Sequence, residues 1–308
     1  MSKHNFFMSF NDHQLNRREF VKSAVLTGLA AFPAGALWAG PEKKPGIIPL
    51  GVCTGYNNAA LIRSLGYSFV EEGVGRFLIP DEKSGGDAQF QKNLELVKAT
   101  GVPVRSYTSF FPADLKSVGP ELHHEKILER TELAMKRAKQ IGSQNIVFGS
   151  GGSRRIPDGF DREKARQQHI ELSKRMAPIA EKYRITISIE PLNSTETNFV
   201  NSLADGAGIV VAVNNPWFRL LCDIYHMKKD GEGPEQIQKY GDLITHCHIA
   251  EKENRTPPGV DGDDFRPYFK ALKKVKYKNG LSLECRWKDF DAEVKNAIGV
   301  IRTQWKEA

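Results

Sequence analysis

Glu190, Asp223, His248 and Glu284 stand near the ends of four short apolar runs, and together they could hold a metal ion. The runs are Ile189-Glu190-Pro191-Leu192-Asn193, Cys222-Asp223-Ile224-Tyr225-His226-Met227, His246-Cys247-His248-Ile249-Ala250-Glu251 and Ser282-Leu283-Glu284-Cys285-Arg286. Three carboxylates and one imidazole suit Mn²⁺, Mg²⁺ or another divalent ion on the hard side, and are atypical of structural zinc. Any one of these residues alone reads as a satisfied polar group at a strand end. Four of them at the same level of successive strands call for a shared ligand.

Such a set needs a scaffold that brings four strand ends to one point. From residue 47 onward, strand and helix patterns alternate eight times. Strands are expected at 47–53, 69–74, 102–109, 145–149, 185–191, 219–225, 244–250 and 281–286. Helical spacing of apolar residues marks 87–97, and longer amphipathic stretches cover 121–141, 162–183 and 289–305. Gly66, Gly101, Gly142, Gly241 and Gly280 precede strands as helix stops. Eight such units in one run predict an α/β fold, a (β/α)₈ TIM barrel over residues 47–308. Active sites of these barrels form at the C-terminal strand ends, which is where strands 5, 6, 7 and 8 carry the four residues. No Gly-x-Gly-x-x-Gly follows the first strand. Gly149-Ser150-Gly151-Gly152-Ser153 lacks that spacing and the Lys-Ser/Thr of a phosphate loop.

The start of the chain reads differently. Asn16-Arg17-Arg18-Glu19-Phe20-Val21-Lys22 precedes a weakly apolar, Gly/Ala-rich stretch that is broken by Pro33 and reaches Ala39. Residues 1–39 are therefore expected to be a twin-arginine export signal, with small residues at Ala34, Ala36 and Ala39 offering cleavage positions. Residues 40–46 form a linker. The expected consequences are an exported, periplasmic protein, the twin-arginine machinery as a partner, and a mature chain that does not span the membrane. Whether it forms a homo-oligomer stays open. The leader's Lys3, Arg17, Arg18 and Lys22 against Asp12 and Glu19 hold +2 of the formal net charge of +7, so the remainder carries +5. That bias favours anionic small molecules. Its basic residues are spread over helical segments and not clustered with aromatics, so no nucleic-acid partner is expected. Cys53, Cys222, Cys247 and Cys285 fall in expected strands, and alternation points those beside ligands away from the metal, as small buried hydrophobes.

In this order and spacing the segments resemble the xylose isomerase-like TIM-barrel superfamily, in particular the sugar isomerase/epimerase branch that includes ketose 3-epimerases. The likeness covers about residues 47–308. Glu190-Pro191-Leu192-Asn193 with Glu196 is similar to the family's strand-5 motif, and Asp223-x-x-His226-Met227 to its strand-6 motif. His246-x-His248, followed by Glu251, Asn254, Arg255 and Pro258-Gly259, is similar to the strand-7 motif, and Glu284 matches the strand-8 position. The resemblance implies one divalent metal ion on Glu190, Asp223, His248 and Glu284, with Mn²⁺ the first expectation and Mg²⁺, Co²⁺ or Zn²⁺ as alternatives. It also implies Glu190 and Glu284 as the catalytic acid/base pair, with Glu196, His226 and Arg255 touching the substrate. Arg255 lies seven residues after His248, one more than in the epimerases, so this loop carries an extra residue.

The implied reaction removes a poorly acidic C–H proton next to a sugar carbonyl. A chelated divalent ion stabilises the enediolate, one carboxylate takes the proton, and a second returns it from the other face. His226 is expected on a loop, hydrogen bonding without ligating. His246 shares the inward face with His248, either as support or as a buried core histidine. Glu71 and Glu72 end strand 2, and Glu72 is a candidate substrate contact. Arg154, in the loop after strand 4, is another, for an anionic or bulky substituent. Phe110, Phe111, Trp217 and Trp287 could wall a sugar face or pack in the core.

Three other activities compete. A lyase or dehydratase would share the proton abstraction and then lose a group at the β carbon. A non-catalytic exported sugar-binding protein would not need both glutamates. A trinuclear zinc endonuclease of the same superfamily would need further histidines on strands 2, 3 and 6, and strands 2 and 3 supply none.

Overall fold

The computed structural model describes residues 48–79 and 83–308. The proposed leader and the linker through Gly46 lie outside the described residues. Eight parallel strands close into a barrel in sequence order: β1 Leu50–Cys53, β2 Phe69–Gly73, β3 Val104–Thr108, β4 Asn145–Phe148, β5 Thr186–Ile189, β6 Phe218–Asp223, β7 Ile244–Ile249 and β8 Leu281–Leu283, with β8 pairing back onto β1. One principal helix follows each strand: α1 Ala59–Ser64, α2 Gly86–Thr100, α3 His124–Ile141, α4 Arg162–Tyr183, α5 Leu203–Val213, α6 Glu235–Tyr240, α7 Arg266–Lys274 and α8 Phe290–Glu307. This is the expected TIM barrel.

Local chemistry sets the helix ends. Asp161, Ser202 and Asp289 cap α4, α5 and α8 by accepting from Lys164 N, Asp205 N and Ala292 N. Gly101 and Gly142 stop α2 and α3 in the left-handed conformation that glycine adopts freely, at φ 63° and 87°. Gly241 departs from that expectation: it opens a 3₁₀ turn with right-handed backbone. Among the described residues no helix is long and apolar enough to cross a membrane.

The strands are shorter at their C-terminal ends than the apolar runs suggested. β5 stops at Ile189 and β8 at Leu283, so Glu190 and Glu284 stand one residue beyond their strands. Their backbones stay tied to the barrel, with Glu190 N donating to Phe148 O at 3.3 Å and Glu284 N to Ile249 O at 3.1 Å. The register sets Asp223 beside His248, and His248 beside Ser282. The floor is packed by Phe69, whose ring fills the space that a side chain at Gly51 or Gly280 would occupy. Above it runs a polar chain. Ser188 Oγ donates to Asn145 Oδ1, Asn145 Nδ2 to Ser106 Oγ, and Ser106 Oγ to Glu71 Oε1. Buried polar groups have to be paired, and this network delivers its last bond to Glu71, at the level of the candidate site.

Candidate metal and proton-transfer site

Glu190, Asp223, His248 and Glu284 each offer one ligand atom, and these atoms all lie within 4.8 Å of one another. His248 Nδ1 is 2.9 Å from Glu190 Oε1 and 3.0 Å from Glu284 Oε2. Asp223 divides its carboxylate. Oδ1 accepts from Tyr225 N at 2.8 Å and caps the short helix Ile224–Asp230, while the buried Oδ2 has no hydrogen-bond partner. Three carboxylates gathered round one imidazole, with one buried oxygen lacking a hydrogen bond, fit a divalent cation, because buried polar and charged groups have to be satisfied or coordinated. The oxygen-rich set suits the harder divalent ions.

His248 uses its other nitrogen on Glu71, with Nε2 at 3.1 Å from Glu71 Oε1. His246 Nε2 holds the second Glu71 oxygen at 2.8 Å. Glu71 thus fixes the ring orientation of His248 and leaves Nδ1 for the cluster, a common arrangement behind metal-binding histidines. Burial pushes the Glu71 carboxyl up, but His246 and His248 outweigh it and hold the group well below the usual range. Burial likewise opposes charge on His248, yet Glu71, Glu284 and Glu190 raise it well above an ordinary histidine.

The two catalytic candidates are pushed apart. Burial raises the Glu190 carboxyl, and His248 offsets this only in part. Glu284 is also penalised by burial, but His248 and Arg255 bring it down to about 2. Environments that separate two carboxyls in this way mark acid and base partners. Gly149 makes room for Glu190, since a Cβ there would come within 2.2 Å of Glu190 Oε2.

Arg255 leans over the cluster. Its guanidinium lies 2.5 Å from Glu284 Oε2, and 3.5 Å from both Asp223 Oδ2 and Glu196 Oε1, and it stacks on the Tyr225 ring with its carbon 4.7 Å from the centroid. Asn254 and Arg255 both have left-handed backbones, at φ 54° and 58°. Such geometry is costly for residues with a Cβ and persists where the surroundings impose it. Here the turn is closed by Glu251, whose N–H donates to Thr256 O at 2.8 Å. Its fully buried carboxylate accepts from the backbone N–H groups of Gly259, Asp261, Gly262 and Asp263, and so ties down the loop that carries Arg255. The role of Glu251 was missed from sequence, although the Gly- and Asp-rich stretch after it carried the signal.

His226 sits on the short helix after β6, one turn past Asp223, and not on a loop. Its Nδ1 accepts from Asn193 N at 3.1 Å and from Asn193 Nδ2 at 2.8 Å. The network therefore assigns the proton to Nε2, which is buried, unpartnered and 3.4 Å from Asp223 Oδ2. Asn193 Nδ2 also donates to Glu196 Oε1 at 3.1 Å. Glu196, His226 and Arg255 are thus brought together round the cluster.

Of the remaining expected substrate contacts, one is placed differently and one is placed as expected but engaged within the protein. Arg154 is fully buried and absent from the mouth. Its guanidinium donates to Phe148 O at 2.8 Å and to Glu190 O, so the expectation that it meets substrate is corrected: it clamps the ends of β4 and β5. The loop after β4 turns it inward through the short helix Gly151–Arg154. Glu72 lines the mouth, but its oxygens are taken by Tyr56 N, Gly73 N and Arg76.

All four cysteines are free. Cys222 and Cys247 are buried as expected. Cys53 and Cys285 depart from expectation, because both line the mouth cavity, Cys53 as the last residue of β1 and Cys285 two residues past the end of β8. Of the four aromatics considered, Phe111 and Trp287 line that cavity, whereas Phe110 packs beneath Phe111 at a ring separation of 4.0 Å.

The profile of the xylose isomerase-like TIM barrel family matches residues 59–304. The chain belongs to this family. Within this xylose isomerase-like family it resembles an L-ribulose 3-epimerase of Methylomonas sp., 27% identical over 53% of the chain and 61% of that protein. It also resembles a probable ketose 3-epimerase of Synechocystis sp., 31% identical over 46% of the chain and 48% of that protein. The matched stretch therefore spans roughly half to three-fifths of these two relatives. A 3-dehydro-D-guloside 4-epimerase of Escherichia coli is 25% identical over 63% of the chain and 78% of that protein. Among solved structures, D-psicose 3-epimerase with D-tagatose from Clostridium cellulolyticum superposes with a TM-score of 0.73 at 17% identity, covering 84% of this chain and 99% of that one. At that identity the superposition speaks for the fold alone.

Proposed function

We propose that this protein is a divalent-metal-dependent sugar isomerase or epimerase that moves a proton next to a carbonyl through an enediolate. The observation that carries the reading is the pair Glu190 and Glu284. They flank one His248 nitrogen from opposite sides of the β5–β8 arc, one carboxyl raised and the other lowered. The epimerases among its relatives support the same class.

In this reading Glu284, unprotonated beside Arg255 and His248, accepts the proton from carbon. Glu190, which burial keeps more readily protonated, returns a proton from its own side. The His226 Nε2–H and the Arg255 guanidinium donate to substrate oxygens, and Glu196 accepts from a hydroxyl. Asp223, His248 and the two glutamates would hold the ion, which supplies Lewis-acid polarisation of the carbonyl when bound. Mn²⁺ is the ion we favour. The twin arginines add the proposal that the mature protein works outside the cytoplasm.

The test is turnover of a panel of ketoses and 3-keto-glycosides, followed by NMR with and without chelator. Appearance of the epimer or isomer, abolished by chelator and restored by Mn²⁺, is the expected result. Release of the outer group in place of an epimer would move the assignment to a lyase. Conversion that chelator leaves untouched would remove the metal from the account.

A further inference from the structure

The mouth cavity holds about 630 Å³ and does not centre on the four candidate ligands. It runs from Glu284 and Cys285 across the ends of β1 and β2 to Thr108 and Ser109 after β3, and of the four ligands only Glu284 touches it. A space of that size lies within the roughly 300–1,000 Å³ of small-molecule sites and leaves room beyond a single sugar ring. Its far wall is built from α3 and from the π-helical turn Val74–Leu78 that follows β2, a type of irregularity frequent at functional sites.

That wall carries an uncommitted cation. Arg130 of α3 is half-buried, and its Nε donates to Phe110 O at 2.9 Å. Among the described residues it forms no ion pair, and Asp114 reaches it only through longer-range attraction. Burial pulls the guanidinium down, the sign of a cation short of anionic partners. A Cβ at Gly75 would stand in ordinary contact with Arg130 Nη2, at 3.6 Å, so a larger side chain there would cover this side of the guanidinium. The neighbouring Arg76 is already neutralised by Glu72 at 2.6 Å. Phe111 and Trp287 supply apolar surface in the same cavity, and the Trp287 indole N–H is buried with no acceptor in the protein. Aromatic surface and a guanidinium fork together suit a sugar ring that bears a carboxylate.

We propose that this half of the mouth is a subsite for the outer, uronate-type ring of a glycoside whose inner sugar is processed between Glu190 and Glu284. The catalytic half of this statement rests on the function proposed above, whereas the subsite is tested by binding alone. Calorimetric titration of the purified protein would compare an aldobiouronic acid with the neutral disaccharide that has a hydroxymethyl group in place of its carboxylate. The acid should bind at least about tenfold tighter, as a charge-assisted, forked hydrogen bond allows. Arg130→Gln should bring the ratio close to one, and Gly75→Leu, which fills the space beside the guanidinium while Arg130 keeps its charge, should weaken both ligands. Equal affinities in the unaltered protein would overturn the subsite. So would a ratio that survives in folded Arg130→Gln, or unchanged binding of both ligands in Gly75→Leu. If Arg130→Gln does not fold, the Gly75→Leu result decides. Failure of the isomerase/epimerase reading would show separately, as absence of turnover on every sugar with the binding ratio intact.

Discussion

Glu71 on β2 and His248 on β7 meet across the barrel, with Nε2 of the imidazole 3.1 Å from Oε1 of the carboxylate. His246 grips the other Glu71 oxygen, so the acceptor cannot turn away. The first prediction follows. Glu71→Gln should weaken Mn²⁺ binding by about 10–100-fold, the usual cost of losing a carboxylate behind a ligating histidine, while the four ligand side chains remain. Metal titration of both proteins checks this, and equal affinities would remove Glu71 from the account.

Gly149 gives the second. A methyl group at this position overlaps Glu190 Oε2 and forces that carboxylate to move. Gly149→Ala should lower turnover at least about tenfold, since small misplacements of reacting groups are expensive. The melting temperature should change little, because the end of a flexible side chain can yield. Steady-state kinetics alongside a thermal melt would show whether the loss is catalytic.

His169 supplies a pH prediction. It is fully buried between Phe148 and Phe199, neither ring nitrogen has a partner, and burial lowers it to about 3. The unfolded chain takes up a proton at an ordinary histidine value of about 6.5. Its folded pKa is depressed, so this group's contribution is intact above about 6.5 and is lost as pH falls towards 3. The slope is about 1.4 kcal/mol per pH unit. Between pH 7 and pH 5 the unaltered protein should therefore lose about 2 kcal/mol more than His169→Leu in chemical denaturation. Parallel pH curves for the two would contradict the assignment.

Export makes the fourth. Replacing the twin arginines, Arg17→Lys with Arg18→Lys, should keep the protein in the cytoplasm. Cell fractionation reads the outcome, and unchanged export would remove the signal.

Much of this architecture was legible from residue types alone. Eight apolar runs separated by helical spacing gave the barrel, and the residues at the ends of the last four gave the candidate ligand cluster. What escaped was long-range or local in ways that periodicity does not carry. Glu71 lies 177 positions from His248, and nothing near either residue announces the pair. Arg154 follows a glycine-rich stretch with no period, so the inward turn that sends it to two backbone carbonyls left no trace in the pattern. The outward reading of Cys285 assumed that alternation continues to the end of its apolar run. β8 stops at Leu283, and past a strand end alternation no longer fixes direction. Glu251 was readable in principle, since a carboxylate ahead of closely spaced Gly259 and Gly262 is a usual setting for a loop folded round an anion.

The proton transfer assigned to Glu190 and Glu284 is tested most directly by exchange in D₂O. With a substrate identified by the panel, the Mn²⁺-loaded protein should place deuterium on the carbon next to the carbonyl. Glu284→Gln, lacking the acceptor, should lose both exchange and turnover by about 10²–10⁴-fold. Glu190→Gln should lose turnover to a similar extent and still wash deuterium into the substrate on one face. Near-normal turnover in both variants, with deuterium entering as before, would contradict the assignment and give the proton to another group.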